Sequence, residues 1–407
     1  MKVYLDNNAT TLLDPQVKEA MMPFLTDHYA NPSSPYESGL KVRRMIEEAR
    51  INVAKLLGAR SEREIIFTSG GTESNNTAIN SALKTYPHKR KIVISAIEHS
   101  SIKNLCERLS SDGYQVISIS VSKTGSFHWD QFLSALDDDV AIVSVMWANN
   151  ETGVLFPILE ISRELKKRNI LFHVDAVQAV GKIKIDLGQT EIQFLSFSAH
   201  KFHGPKGIGA LYIREGSPFH AFMLGGRQER DRRAGTENVA GIIGLETAFK
   251  LTQSNELSAT TKLRNKLEEE LVNRISGSFI NGQAELRIPN TTNITIPGVE
   301  AETLLIRLSE LGIEASSGSA CLTGAIEPSH VLMAMGHSSE LASSSVRFSL
   351  SRFTTLEQID YVLETMPKLV YELRELNQEP SLRGGGFAKP KQSKTEIASS
   401  SLRDSSQ

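Results

Sequence analysis

The chain has 407 residues, 40% of them hydrophobic, with 45 Lys and Arg against 47 Asp and Glu for a net charge of −2. That is material for a large core divided among two or three domains, and the balanced charge argues against nucleic acid or an anionic membrane as partner. No apolar run is long enough to span a bilayer, and the first residues lack a signal core. Two cysteines, Cys106 and Cys321, with no pair at metal-ligand spacing, point to a soluble protein of a reducing compartment, the cytoplasm, and to no metal site.

Val3-Tyr4-Leu5 reads as a short strand followed by a polar turn, Asp6 to Thr11. Asp14-Pro15 supplies a cap and a first-turn proline for a helix. A second helix carries Val42, Met45, Ile46, Ala49, Val53, Leu56 and Leu57 on one face and stops at Gly58. Strands and helices then alternate. Strands are expected at 65–67, 92–94, 116–121, 140–147, 170–174 and 194–197, with helices at 72–86, 100–111, near Asp130 and at 157–168. Residues 209–213 return after a turn too short for a helical crossover, so that strand is expected to run antiparallel. Continuous apolar strands joined by helices predict an α/β fold with a mostly parallel seven-stranded sheet covered on both faces.

Beyond Thr236 the pattern changes. Leu263, Leu267, Leu271 and Ile275 recur every four residues, strands are expected at 293–296 and 345–350, and a helical segment at 355–376 contains Pro367, which should kink it. The chain is read as a large domain (13–254), a smaller α+β domain (1–12 and 255–380) and a disordered tail (381–407). The tail is Gly-, Ser- and Lys-rich, and its few apolar residues cannot offset an ordering entropy of roughly 1–2 kcal/mol per residue.

The chemistry gathers at the ends of the predicted strands. Ser196 to Gly207 begins as an apolar strand and breaks into Ser198, His200, Lys201 and Gly204-Pro205. Open α/β sheets bind ligands at such carboxyl ends. Lys201 by itself is either a solvated loop lysine or a Schiff-base lysine. Thr68 to Ser74 is either a phosphate cup, with Gly70, Gly71 and a capping Thr72 at a helix start, or an ordinary glycine turn. His99 in isolation reads as a satisfied loop histidine. Asn149, Asn150 and Glu151 are turn formers or ligand contacts. Asp175 ends an apolar strand, and a buried carboxylate needs a cation, a strong donor or an ion; a protonated ring nitrogen and a salt bridge both qualify. Cys106, beside Ile102, Leu105 and Leu109, reads as core. Cys321 lies in the small, polar segment Ser316 to Gly324 and reads as a reactive loop thiol. A Lys, an Asp, a His and an anion cup on one sheet edge are the set that pyridoxal phosphate needs.

With those pieces in hand, the chain resembles the NifS/IscS-type cysteine desulfurases, in the class V group of fold-type I pyridoxal-phosphate enzymes. The likeness rests on Tyr4 to Thr11, Thr68 to Asn75, Asn149 to Glu151, His173 to Gln178, Ser196 to Gly207, Arg233 to Thr236, Ser316 to Cys321 and Arg347 to Phe353. The stretch Gly225 to Arg232 matches less well, and the tail falls outside. The resemblance implies that Lys201 forms the imine with the cofactor, Asp175 pairs with the pyridine nitrogen, Gln178 bonds the phenolic oxygen and Asn150 contacts the ring. It implies that His99 stacks on the ring and carries protons, that Gly71, Thr72, Ser198 and His200 bind the phosphate, and that Thr236 reaches the phosphate of the other subunit of a homodimer. Arg347 is expected to hold the carboxylate of L-cysteine, and Cys321 to take its sulfur as a persulfide for an iron–sulfur scaffold or another acceptor. A selenocysteine lyase or another class V aminotransferase-type enzyme is the alternative within the fold; a cofactor-free interaction protein is the alternative outside it.

Overall fold

The computed structural model describes residues 1–253, 257–318 and 328–378. Among them are the strands β1 (Val3–Tyr4), β2 (Ile65–Thr68), β3 (Lys91–Ser95), β4 (Gln115–Ile119), β5 (Val140–Met146), β6 (Leu171–Asp175), β7 (Phe194–Ser198), β8 (Gly209–Ile213), β9 (Phe279–Ile280), β10 (Thr291–Thr295), β11 (Ile313–Glu314) and β12 (Ser345–Ser349). Seven form one sheet in the order β2-β8-β7-β6-β5-β3-β4. Strands β7, β6, β5, β3 and β4 pair in parallel. Strand β8 runs antiparallel to both neighbours, as its short connection predicts.

Every residue of β5, β6 and β7 is buried. Their apolar runs follow from cover on both faces. The helices Glu37–Leu56 and Val239–Thr252 pack on one face; Gly71–Thr85 and Ser100–Ser111 pack on the other. Cys106 lies in that second layer, 1% exposed, its thiol pushed up to about 12 by burial, which makes it a packing residue. The helix Glu37–Leu56 stops where expected: Gly58 turns at φ +65°, and a Cβ there would come within 2.4 Å of Asp186 Oδ1.

A second core is built on the antiparallel sheet β12-β10-β9 and the parallel pair β1-β11. Leu267, Leu271 and Ile275 of the fourfold repeat are buried in it. The helix Leu356–Gln378 continues through Pro367. The ring removes the helical donor of the Leu363 carbonyl, and Arg274 Nη1 replaces it at 3.1 Å.

The poorly matching stretch has an unusual backbone. Glu229, Arg230 and Asp231 are consecutive non-glycine residues at φ 47°, 59° and 62°. Glu229 holds them in place. It is buried, paired with Arg50 (Oε1 to Nη2, 2.9 Å), and accepts the Phe67 amide at 3.0 Å.

Candidate active site

The parallel strands deliver their carboxyl ends to one edge, and the chain's first residues cross that edge. Lys201 closes a short 3-10 turn after β7. Its Nζ donates to the carbonyls of Asn8 and Ala9, both at 2.8 Å. Burial and the nearby Arg347 guanidinium lower the amine from 10.5 to about 8, against the pull of Asp175 and Asp6. At pH 7 roughly a tenth of Lys201 is then neutral, far more than of an ordinary lysine.

Asp175, the last residue of β6, is 5% exposed. Its hydrogen bonds come from two neutral donors: Asn75 Nδ2 to Oδ2 at 2.8 Å and the Val177 amide to Oδ1 at 2.9 Å. No salt bridge holds it among the described residues. One turn on, Gln178 donates Nε2 to Asn8 O at 2.9 Å and accepts Lys182 Nζ at Oε1. Lys182 also donates to Asn8 Oδ1 at 2.9 Å. Burial, then Lys201 and Arg347, hold Lys182 well below its usual range.

At the end of β2, Gly70 precedes the helix Gly71–Thr85 at φ +155°. Thr72 does not cap this helix, contrary to expectation. The helix begins at Gly71 with no side-chain cap, because Gly70 makes the turn, and Thr72 sits exposed in the first turn. Gly71, Thr72, Ser198 and His200 line one cavity of about 440 Å³, together with Thr10 and Lys206. A Cβ on Gly71 would come within 2.6 Å of Val177 Cγ2, so no other residue fits there. Helix amides and Lys206 suit the cavity to an anion. Burial, then Lys201, Lys206 and Lys182, lower His200 to about 4 and keep it neutral.

His99 is the cap of the helix Ser100–Ser111, accepting the Ser101 amide at Nδ1. Its surface is partly open to solvent, yet protein atoms crowd the ring. The crowding lowers its pKa, Asp175 opposes that shift, and Lys201 adds to it. Asn150 follows β5, and its carbonyl accepts Asn8 Nδ2 at 3.0 Å and Arg347 Nη1 at 3.1 Å. Arg347, in β12, is 4% exposed and pairs through Nη2 with Asp6. Its Nε has no partner among the described residues.

Ten of the predicted site residues thus lie on one edge: Gly71, Thr72, His99, Asn150, Asp175, Gln178, Ser198, His200, Lys201 and Arg347. Thr236 does not join them; it is exposed, outside the cup's lining. Its neighbour Arg233 reaches the cup's helix, holding Glu73 at 2.8 and 3.1 Å. Cys321 lies outside the described residues, as does the tail.

Sequence reasoning missed several contributors. Asp6 and Asn8 appeared as a polar turn within a family-like stretch, with no role of their own, although Asn8 touches Lys201, Gln178, Lys182 and Asn150. Asn75 fell within a family-like stretch but carried no assigned role, and Lys182 had no signal beyond being a polar residue after a buried strand. Glu151 is 2% exposed and raised by burial, against Ser329, whose hydroxyl bonds its Oε2, and Arg347. Asn149 proves to be the turn former: its Oδ1 accepts the amides of Glu151 and Thr152, both at 2.9 Å.

The aminotransferase class-V family model matches residues 3–362. A cysteine desulfurase of Trichormus azollae is 49% identical over 378 residues, 92% of this chain and 94% of that protein. The cysteine desulfurase NifS of Azotobacter vinelandii is 48% identical over 387 residues, 94% of this chain and 96% of that one. A solved NifS-like protein superimposes with a TM-score of 0.86 at 39% identity, covering 91% of this chain and all of the other.

Proposed function

The chain belongs to the class-V aminotransferase family and is a pyridoxal-phosphate-dependent cysteine desulfurase, and on that premise we propose that Lys201, His99, Arg347 and Cys321 divide its chemistry among them. The enzyme converts L-cysteine to L-alanine and transfers the sulfur to an enzyme cysteine as a persulfide. The observation that carries the assignment is Lys201, an amine brought to about 8, on the same sheet edge as the glycine cup and the Asp175 carboxylate, which has only neutral hydrogen-bond donors among the described residues.

The residues fit the cofactor. Backbone alone fits at Gly71, so the phosphate can approach the helix amides beside Thr72, Ser198 and His200. Asp175 has neutral donors only, which leaves its charge for a protonated ring nitrogen. Gln178 would hold the phenolic oxygen, Asn150 and His99 the ring, and Thr236 the phosphate of the second subunit in a homodimer. When bound, pyridoxal phosphate supplies a sink for the electrons left at the substrate's α carbon.

Arg347 binds the substrate carboxylate. Its Nε is uncommitted, and a guanidinium edge suits two carboxylate oxygens. Neutral Lys201 takes the α proton, and depression to about 8 keeps enough free amine for that near pH 7. The Cys321 thiolate attacks the substrate sulfur. The C–S bond breaks, an S–S bond forms, and the bonding pair stays with the carbon skeleton, which is reprotonated to alanine. His99 carries protons in this exchange. The persulfide then passes to an iron–sulfur scaffold or another acceptor in the cytoplasm. No described helix is long and apolar enough to cross a membrane. The large domain is proposed as 13–254 and the small one as 1–12 with 255–380; the separate core around β12-β10-β9 supports that division, while Ile288, Val331, Leu332, Met335 and Ala342 of the second segment pack into the large core.

The test is brief exposure to L-cysteine followed by peptide mass spectrometry. One extra sulfur atom is expected on the peptide carrying Cys321, with alanine released. Cys321→Ser should bind cofactor and release almost no alanine, since a serine hydroxyl stays protonated at neutral pH. Sulfur on Cys106, or wild-type turnover by Cys321→Ser, overturns the assignment.

A further inference from the structure

Asn75 stands on the helix Gly71–Thr85, one turn past the cup, 1% exposed. It commits both hydrogens of its amide. One goes to Asp175 Oδ2 at 2.8 Å, the other to Ser101 Oγ at 2.9 Å. A hydroxyl that accepts there has one hydrogen left to give, and its neighbour is His99 Nδ1 at 2.9 Å. The same nitrogen accepts the Ser101 backbone amide at 3.1 Å. A ring nitrogen that accepts carries no hydrogen, so neutral His99 carries its hydrogen on Nε2. These assignments follow from donor and acceptor chemistry alone, since the carboxylate can only accept and the backbone amide can only donate.

The arrangement has a cost. Asn75 Oδ1 is buried and has no partner among the described residues. A buried amide oxygen left unpaired is destabilising. Turning the amide over would be worse, because it would set that oxygen against the Asp175 carboxylate. The orientation is therefore dictated by the site and not by the stability of the helix.

We infer that Asn75 is a positioning residue of the desulfurase, joining Asp175 to His99 through Ser101 so that the two groups that hold the cofactor ring keep a fixed relation. The inference rests on the roles of Asp175 and His99 proposed above. It also gives His99 a direction: its unshared nitrogen, Nε2, enters as a hydrogen donor, complementing Lys201, which enters as the base.

The experiment is a double-mutant cycle on cofactor affinity, with Asn75→Leu, Ser101→Ala and the pair, each apoprotein titrated with pyridoxal phosphate. Asn75→Leu keeps the branched shape and the number of side-chain heavy atoms and removes both bonds. It is expected to weaken binding about tenfold, the scale of one lost hydrogen bond to a charged group, and to lower kcat with little change in KM for cysteine. Because the bonds form one path, the pair should be no worse than Asn75→Leu alone. Nitrogen-15 spectra of the wild-type apoprotein, with His99 identified against His99→Gln, should place its hydrogen on Nε2. Wild-type affinity in Asn75→Leu, full additivity in the pair, or a hydrogen on Nδ1 overturns the inference. If Asn75→Leu does not fold, Ser101→Ala and the spectra decide it alone: unchanged kcat in Ser101→Ala counts against it. Asp175→Asn serves as the control. If it too binds and turns over like wild type, the reading of the site has failed; if it is crippled while Asn75→Leu is not, only the inference has.

Discussion

Lys182 Nζ donates to Gln178 Oε1, and this one bond sets which way the Gln178 amide faces. With its oxygen held by Lys182, Gln178 turns its NH2 group to Asn8 O and the ligand side. A lysine buried among amide oxygens, with no carboxylate partner among the described residues, is an expensive way to orient one glutamine. Lys182→Met should free the amide to turn over. The expected outcome is roughly tenfold weaker pyridoxal phosphate binding, the scale of one hydrogen bond to a charged group, with thermal stability unchanged or raised because a costly buried amine is gone. Apoprotein titration and a melting curve check both.

Lys201 should betray its depressed pKa by its reactivity. In the apoprotein its rate of acylation should rise with pH and level off above about 8. Ordinary lysines should keep rising toward 10.5, since only the neutral amine reacts. Peptide mass spectrometry at several pH values separates them. In Lys201→Ala the cofactor-derived visible colour should be lost.

His173 is fully buried between Ser144 Oγ (2.7 Å) and Ser196 Oγ (2.9 Å), and burial lowers it from 6.5 to about 3. The native state keeps it neutral where the unfolded chain already takes a proton. Its contribution to stability is therefore full above pH 6.5 and lost as pH falls from there toward 3. His173→Gln should make the acid limb shallower by up to about 1.4 kcal/mol per pH unit. The limb should not vanish, because His200 and His203 are also lowered, each to about 4. Urea midpoints between pH 4 and 8 measure the slope.

Asp231→Gly should stabilise the protein by ~0.5–1 kcal/mol, because a left-handed φ of 62° suits glycine better than any other residue. The ion pair it removes, with Arg227 at 3.1 Å, is solvent-exposed and worth little. Melting temperature is the readout, with turnover unchanged.

Gly318 packs against Glu151: a Cβ there would sit 2.7 Å from Oε2, at φ +87°. Ser329 bonds that same oxygen. One carboxyl group thus touches the residues flanking the span that carries Cys321. Gly318→Ala should cost roughly 1–3 kcal/mol through strain and slow persulfide formation. Cofactor affinity should not change, since Gly318 is not part of the cup.

The sheet was legible because its strands are buried on both faces, and burial writes itself as unbroken apolar runs. The antiparallel return at residues 209–213 was legible from loop length. The reactive groups at strand ends were legible because each breaks such a run. Asn75 was not, because an amide in a helix looks the same whether it faces water or a carboxylate. Nor was the role of Asn8, whose backbone carbonyl, and not its side chain, meets Lys201. The helical course through Pro367 was legible from the apolar spacing of 355–376, but the Arg274 contact to the Leu363 carbonyl, from 89 residues away, was not, since no local pattern could supply it.

The bond from Asn7 Nδ2 to Ser349 O, at 2.8 Å, joins residues 342 apart in sequence. Arg347 with Asp6, and Arg352 with Asp14, repeat that span. A chain emerging from the ribosome can complete all seven strands of the large sheet by residue 213, yet the segment that touches Lys201 waits for β12. Loop-closure entropy and the direction of synthesis thus make the reactive lysine's surroundings among the last parts to assemble. A protein interrupted before residue 345 would have the scaffold of the enzyme and an amine still open to water.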